Sequence, residues 1–194
     1  MGRPSRLTSA LIKGTRADAN TIVQVPLTVQ AVSGQTAKLM RVLDASGNEL
    51  ASILASGDGV VRYAEVTVTA AEVLALNAAP KTLVAAPGAG RVLEFMGAIL
   101  ILDYNAAAYA AVAAGEDLAI RYTDGSGAIC STTLETTGLL DGTADALRTI
   151  KPIVTDLTPV ANSPLVLHLL SGEITTGDSP LRLKVSYRVH STGL

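Results

Sequence analysis

The sequence predicts a mainly all-β protein, an antiparallel β-sandwich or jelly-roll-like fold with one or two short helices and an extended N-terminal arm. Three observations predict it. Runs rich in β-branched residues are short and are broken by Gly- and Pro-containing turns roughly every 8–12 residues. The segment Pro180–His190 alternates strictly, with Leu181, Leu183, Val185, Tyr187 and Val189 on one side and Arg182, Lys184, Ser186, Arg188 and His190 on the other. The stretch Arg91–Asp103 is apolar at Val92, Phe95, Met96, Ile99, Leu100, Ile101 and Leu102, as a strand covered on both faces would be.

Residues 1–20 have no period and hold Arg3, Arg6, Lys13 and Arg16 with no acid before Asp18. They read as an arm, ordered only where something holds it, or as a frayed tail. Residues 21–62 read as a β-rich extension or small hairpin region. Thr21–Val32 is β-branched, Gln35–Leu43 follows, Asp44–Asn48 is a turn, Glu49–Leu54 returns, and Ser56–Gly59 turns again. Residues 63–194 read as the sandwich domain, with a soft boundary near Val60–Tyr63.

Val60–Thr69 alternates and runs into a helix start. Thr69 and Glu72 have the spacing of a capping box: the hydroxyl accepts from the N–H three residues on, and the carboxylate reaches back. Val68 and Val73 are placed to staple the first turn. Asn77 and Pro80 end the helix after about two turns. Lys81–Ala85 is a short strand, and Pro87–Gly90 a turn. Tyr104–Gly115, rich in Ala, fits a helical turn or a loose loop. Leu118–Thr123, the turn Asp124–Gly127 and Ala128–Leu134 form a hairpin. Gly138–Ala146 is a loop with a helical turn, Thr149–Val154 and Pro164–Leu170 are strands, and Ser171–Ser179 is a polar loop.

Composition bounds the partners. A chain of 194 residues can bury a core without staples. Its net charge of -2 carries no polyanion signature, so no nucleic acid is expected. Charged residues make up 16% and hydrophobic ones 48%, which leaves apolar surface for a partner or for copies of the chain. Aromatic residues make up 3%, too few for a sugar- or base-stacking platform. The apolar run Phe95–Leu102 is too short to cross a bilayer, so no membrane partner is expected. The N-terminal Leu11-Ile12 pair is too brief for a signal peptide.

Residues that carry chemistry are sparse. Cys130, the single cysteine, lies in an apolar strand pattern with no nearby His and reads as a small buried hydrophobe. His168 sits in the apolar run Leu165–Leu170 and reads as a core or interface His with one hydrogen bond. His190 has no partner at metal spacing. Gly88-Ala89-Gly90 lacks the third Gly of a dinucleotide loop. Gly125-Ser126-Gly127 is a turn and no nucleophile elbow. Asp103, Glu116, Asp117 and Asp124 lie in loops and could gather around Ca²⁺, but they match no Ca²⁺ loop. No catalytic role, cofactor or metal is expected.

The run TVTAAEVLALNAAPKTLVAAPGAGRVLEFMGAILILDYNAAAYA, from Thr67 to Ala110, resembles a class of tailed-bacteriophage structural proteins. Their pattern has a Thr-started helix ending Leu-Asn-x-x-Pro, a Pro-Gly-x-Gly turn before a basic residue, and an apolar strand ending in Tyr. Gly115–Tyr122, Gly138–Asp141, Val160–Leu167 and Leu181–His190 are similar too. The likeness spans roughly residues 65–190 and leaves 1–62 outside it. The resemblance implies a virion component, most like a capsid decoration (cement) protein, made in the host cytoplasm and carried on the capsid surface. It implies two partners: copies of the chain, most simply a trimer, and the major capsid protein of the shell. Arg3, Arg6, Lys13 and Arg16 are then the candidate shell-contact arm, and Phe95, Ile99, Ile101, Tyr104 and Tyr109 the candidate subunit interface. A tail- or fibre-associated, host-binding virion protein is the alternative.

Overall fold

A computed structural model describes residues 38–54, 57–154 and 156–192. The arm with Arg3, Arg6, Lys13 and Arg16, and the strand expected over Thr21–Val32, lie outside the described residues. The described chain is mainly β: β1 (Met40–Leu43), β2 (Glu49–Ile53), β3 (Arg62–Val68), α1 (Ala70–Leu74), β4 (Lys81–Val84), β5 (Arg91–Leu102), β6 (Asp117–Tyr122), β7 (Leu134–Glu135), β8 (Ala146–Ile150), β9 (Leu165–Leu169) and β10 (Leu181–Ser191).

β1 and β2 form a two-stranded sheet of their own. Asp44 makes their turn: its Oδ1 accepts from the Ser46 N–H at 2.9 Å and the Asn48 N–H at 2.8 Å. The other eight strands form two four-stranded antiparallel sheets, in the orders β3-β10-β5-β8 and β4-β9-β6-β7. The pairing is nested. β3 meets β10, β4 meets β9, β5 meets β8 and β6 meets β7. The first of the eight strands therefore lies beside the last, and so inward. β10 with β5 and β9 with β6 complete the sheets. This is a jelly-roll-like antiparallel sandwich.

One core fills the space between the sheets. Val68, Leu93, Leu100, Leu102, Leu183 and Val185 of the first sheet pack with Leu118, Ile120, Leu165, Leu167 and Leu169 of the second. Each buried Leu contributes about 2 kcal/mol of transfer free energy.

α1 carries the chain from the first sheet to the second. Its capping box is complete: the Glu72 N–H donates to Thr69 Oγ1 at 3.3 Å, and the Thr69 N–H donates to Glu72 Oε2 at 2.9 Å. Val68 and Val73 on either side of the cap are both fully buried. The helix is shorter than its sequence suggests. After Leu74 the chain continues as turns through Ala78, and Asn77 leaves the helical path so that its side chain donates to the Leu169 carbonyl at 2.9 Å.

β5 departs from expectation in a telling way. It is covered on one face only: Leu93, Phe95, Ala98, Leu100 and Leu102 are buried, while Ile99 is exposed and Ile101 half-buried. The inward residues are odd-numbered up to Phe95 and even-numbered from Ala98. A bulge makes the switch. Ser186 pairs with Gly97 and Tyr187 with Phe95, leaving Met96 unpaired, and Gly97 sits at φ 148°. A strand that changes phase looks apolar on both faces when read as if it were regular.

Three other segments differ. The strand expected over Thr149–Val154 lies at Ala146–Ile150, because pairing with Ala98–Leu102 selects it and Pro152 lacks the N–H to extend it. The return leg of the β6 hairpin is a bridge at Ile129 followed by β7, because Ser131 and Cys130 point their own polar groups at the Ile120 backbone. Tyr104–Gly115 is irregular chain. It is anchored by Asp178, whose Oδ1 accepts from the Ala107 N–H at 2.9 Å, and by Tyr109, whose hydroxyl donates to the Ser179 carbonyl.

Candidate functional site

The outward face of the β3-β10-β5-β8 sheet gathers three exposed apolar side chains, Tyr63, Ile99 and Leu147. The register aligns them in rows. Glu65, Lys184, Ile99 and Thr149 lie side by side, and Thr67, Arg182, Ile101 and Leu147 form the next row. Tyr63 stands beside Ser186 and Gly97. Tyr63 is 75%, Leu147 56% and Ile99 39% exposed. A cleft of about 330 Å³ runs between Tyr63, Ile99, Thr149, Lys184 and Ser186.

The basic side of β10 is not a free positive surface. Lys184 Nζ is 3.0 Å from Glu65 Oε1. Arg182 pairs with Asp103. Arg188 Nη1 lies 3.6 Å and His190 Nε2 2.8 Å from Glu94 Oε2. The carboxylates come from β3, from β5 and from the residue after it, so the alternation of β10 alone cannot reveal them. These exposed pairs contribute little stability each. Their effect here is to leave the face near neutral, with Ile99, Leu147 and Tyr63 as its most available groups.

The structure separates the residues grouped as a subunit interface. Phe95 is 4% and Tyr109 3% exposed, and both belong to the chain's own core. Neither can line a contact between copies. Tyr104 is half-buried and donates its hydroxyl to the Ala106 carbonyl at 2.9 Å. Ile99 and Ile101 alone share the outward face. Tyr63 and Leu147 were missed. The alternation of Arg62–Val68 could have placed Tyr63 outward, but Leu147 fell between the loop read over Gly138–Ala146 and the strand read over Thr149–Val154.

The four carboxylates expected in loops are dispersed, and Asp117 lies instead at the first position of β6, set there by its pairing with Glu135. Asp103 pairs with Arg182, Glu116 Oε2 accepts from the Ala113 N–H at 2.9 Å, and Asp124 Oδ1 accepts from the Ser126 N–H at 2.8 Å. Asp117 Oδ1 is buried without a hydrogen bond. Among the described residues no three His, Cys, Asp or Glu side chains gather in metal-holding geometry.

The buried polar groups have structural partners. His168 is buried on β9. Its Nε2 lies 3.1 Å from the Asn77 carbonyl and its Nδ1 3.2 Å from Arg121 Nη1. A carbonyl needs a donor and a guanidinium supplies one, so the neutral Nε2–H tautomer satisfies both. Burial, and secondarily the Arg121 charge, hold its pKa below the ordinary value. Cys130 is buried, donates to the Ile120 carbonyl at 3.3 Å, and is pushed by burial up to about 12, so it holds no thiolate near neutrality. Tyr122 donates to the Leu93 carbonyl, and burial, aided by Cys130 and Glu94, pushes it up to about 12. No described helix is long and apolar enough to cross a membrane.

One solved structure, described as the capsid of Ralstonia phage GP4, is similar to this chain at a TM-score of 0.36 and 14% identity, over 68% of this chain and 85% of that one. No protein-family model and no curated protein matches the chain.

Proposed function

We propose that this chain is a structural component of a bacteriophage virion that decorates and stabilises the capsid shell as a homo-oligomer, bound to the major capsid protein, and that it acts by binding and not by catalysis. The observation that carries the reading is the outward face of the β3-β10-β5-β8 sheet. A rigid sandwich presents Tyr63, Ile99 and Leu147 on a surface whose charges are already paired. Such a face favours a protein partner over solvent, over a polyanion or over a small polar substrate. The resemblance of Thr67–Ala110 to tailed-phage virion proteins supplies the setting.

The test combines sizing with a shell assay. Light scattering of the purified chain is expected to give a multiple of 19.9 kDa. Shells lacking this protein are expected to bind it stoichiometrically and to melt at a higher temperature afterwards. A monomer that leaves shell stability unchanged would sink the proposal. Labelling at the tail instead of the head would favour the tail- or fibre-associated role.

A further inference from the structure

The β1-β2 hairpin is a second surface that the described residues of the chain leave uncovered. Its strands pair with each other and with no other described strand. A lone two-stranded hairpin is marginal in water and needs a surface to lie on. Its two faces differ in character. Met40 is opposite Ile53, and Ala51 lies two residues along, so these three share an apolar face. On the polar side Glu49 clamps both cations, with Lys38 Nζ at 2.5 Å and Arg41 Nε at 3.0 Å. Met40 is 43% exposed, and Leu50, beside the hairpin's bulge, is 68% exposed.

We propose that the apolar face of this hairpin packs over the outward face of the β3-β10-β5-β8 sheet of a second copy of the chain. The two surfaces match. The sheet face offers Ile99, Ile101, Leu147 and Tyr63, with Lys184 and Arg182 already held by Glu65 and Asp103. It therefore gains little from an acidic partner and more from an apolar, charge-silent one. The hairpin is such a partner, because its two cations, Lys38 and Arg41, share Glu49 and are balanced over the hairpin by Glu49 and Asp44 together. The hairpin of the same chain does not cover the face, since Leu147 and Tyr63 stay exposed. Among the described residues nothing covers either surface, and a second copy supplies a cover for both at once.

The contact is heterologous: one patch of each copy meets a different patch of the next. Repeated under rotation it closes a ring, in which every copy donates one hairpin and receives one. This inference rests on the homo-oligomer part of the proposed function and is independent of shell binding.

The test uses full-length single-cysteine variants, Met40→Cys and Leu147→Cys. The buried Cys130 thiol is inert to mild oxidation. An equimolar mixture is expected to give a disulfide-linked pair of twice the chain mass, and neither variant alone to give it. Leu147→Asp, at an exposed site, is expected to reduce the light-scattering mass of the assembly to that of one chain with the thermal melt of the sandwich retained. A cross-link in Leu147→Cys alone would mean that the sheet face meets itself, and would overturn the inference. So would a wild-type monomer, and so would an oligomer in which the mixture forms no cross-link. Cross-linking without shell binding removes the decoration role and leaves this contact standing. Shell binding by a protein that forms no cross-link does the reverse.

Discussion

His168 links one buried side chain to a measurable pH dependence. Its ring is held neutral between the Asn77 carbonyl and the Arg121 guanidinium. Its folded pKa lies below the ordinary 6.5. Between those two values the unfolded chain binds more protons than the folded one, so stability falls as pH drops below about 6.5. Glu72 and Asp178, whose hydrogen bonds lower their pKa from 4.5 and 3.8, lose their contribution only at lower pH, which separates the two windows. From about pH 7.5 to about pH 5.5 the thermal midpoint of the wild type should therefore fall more steeply than that of His168→Gln. The Gln amide can donate to Asn77 and accept from Arg121 without titrating. Equal slopes would remove His168 as the cause. Gly127 is a second residue with a defined cost. A Cβ there would stand 1.7 Å from the Tyr122 carbonyl oxygen. Gly127→Ala should destabilise by more than about 2 kcal/mol in a denaturant titration, since backbone must move to admit it. The sequence marks Gly127 as a turn residue; only the returning Tyr122 backbone makes it irreplaceable.

Among the elements, α1 was the most legible and β8 the least. The cap of α1 depends on Thr69 and Glu72, three residues apart, so local spacing suffices to find it. Glu72 also receives Lys81 Nζ at 2.5 Å, tying the helix start to β4. Thr69→Ala should cost about 1 kcal/mol, seen as a fall of about 3–5 °C in the melting midpoint. An unchanged midpoint would mean that packing of Val68 and Val73 alone holds the turn. The position of β8 is set by its pairing with β5, about fifty residues earlier in the chain, and its own composition points three residues too late. β5 has the expected length and type but is covered on one face instead of both, because the bulge at Met96–Gly97 moves the inward set from odd to even positions. Leu100, fully buried after that bulge, should cost about 2–5 kcal/mol as Leu100→Ala. Ile99→Ala, one residue away on the outward face, should cost the isolated chain well under about 1 kcal/mol. That contrast, read by denaturant titration of the dissociated chain, checks the phase of the strand directly.

At the scale of the molecule, the nested pairing ties every strand of the sandwich to one core, while the hairpin stands apart from it. Strand pairs such as β3 with β10 join residues more than a hundred positions apart, so neither sheet is complete until the last strand arrives. Hydrogen exchange should reflect the division. Amides of β5, β9 and β10 are expected to exchange only through opening of the whole sandwich, and those of β1 and β2 much faster in a monomeric variant such as Leu147→Asp. Restored protection of β1 and β2 on assembly of the wild type would match a hairpin seated on a neighbour. Equal protection of the hairpin in the monomeric variant would show that it needs no neighbour.

The strand grammar, the helix cap, the turns and the buried character of Cys130 and His168 were all readable along the chain, because each depends on residues within a turn or a strand length of one another. Three features were not: the inward phase of β5, the position of β8 and the neutrality of the β10 face. Each depends on partners brought from far along the chain, through a bulge in a cross-strand register, an edge pairing with β5, and carboxylates at Glu65, Glu94 and Asp103. The candidate interaction face belongs to this second group. Alternation along β10 makes it look basic, and the run in β5 makes it look buried. Neighbouring strands supply the counter-charges and the bulge that turn it into an exposed, near-neutral apolar surface.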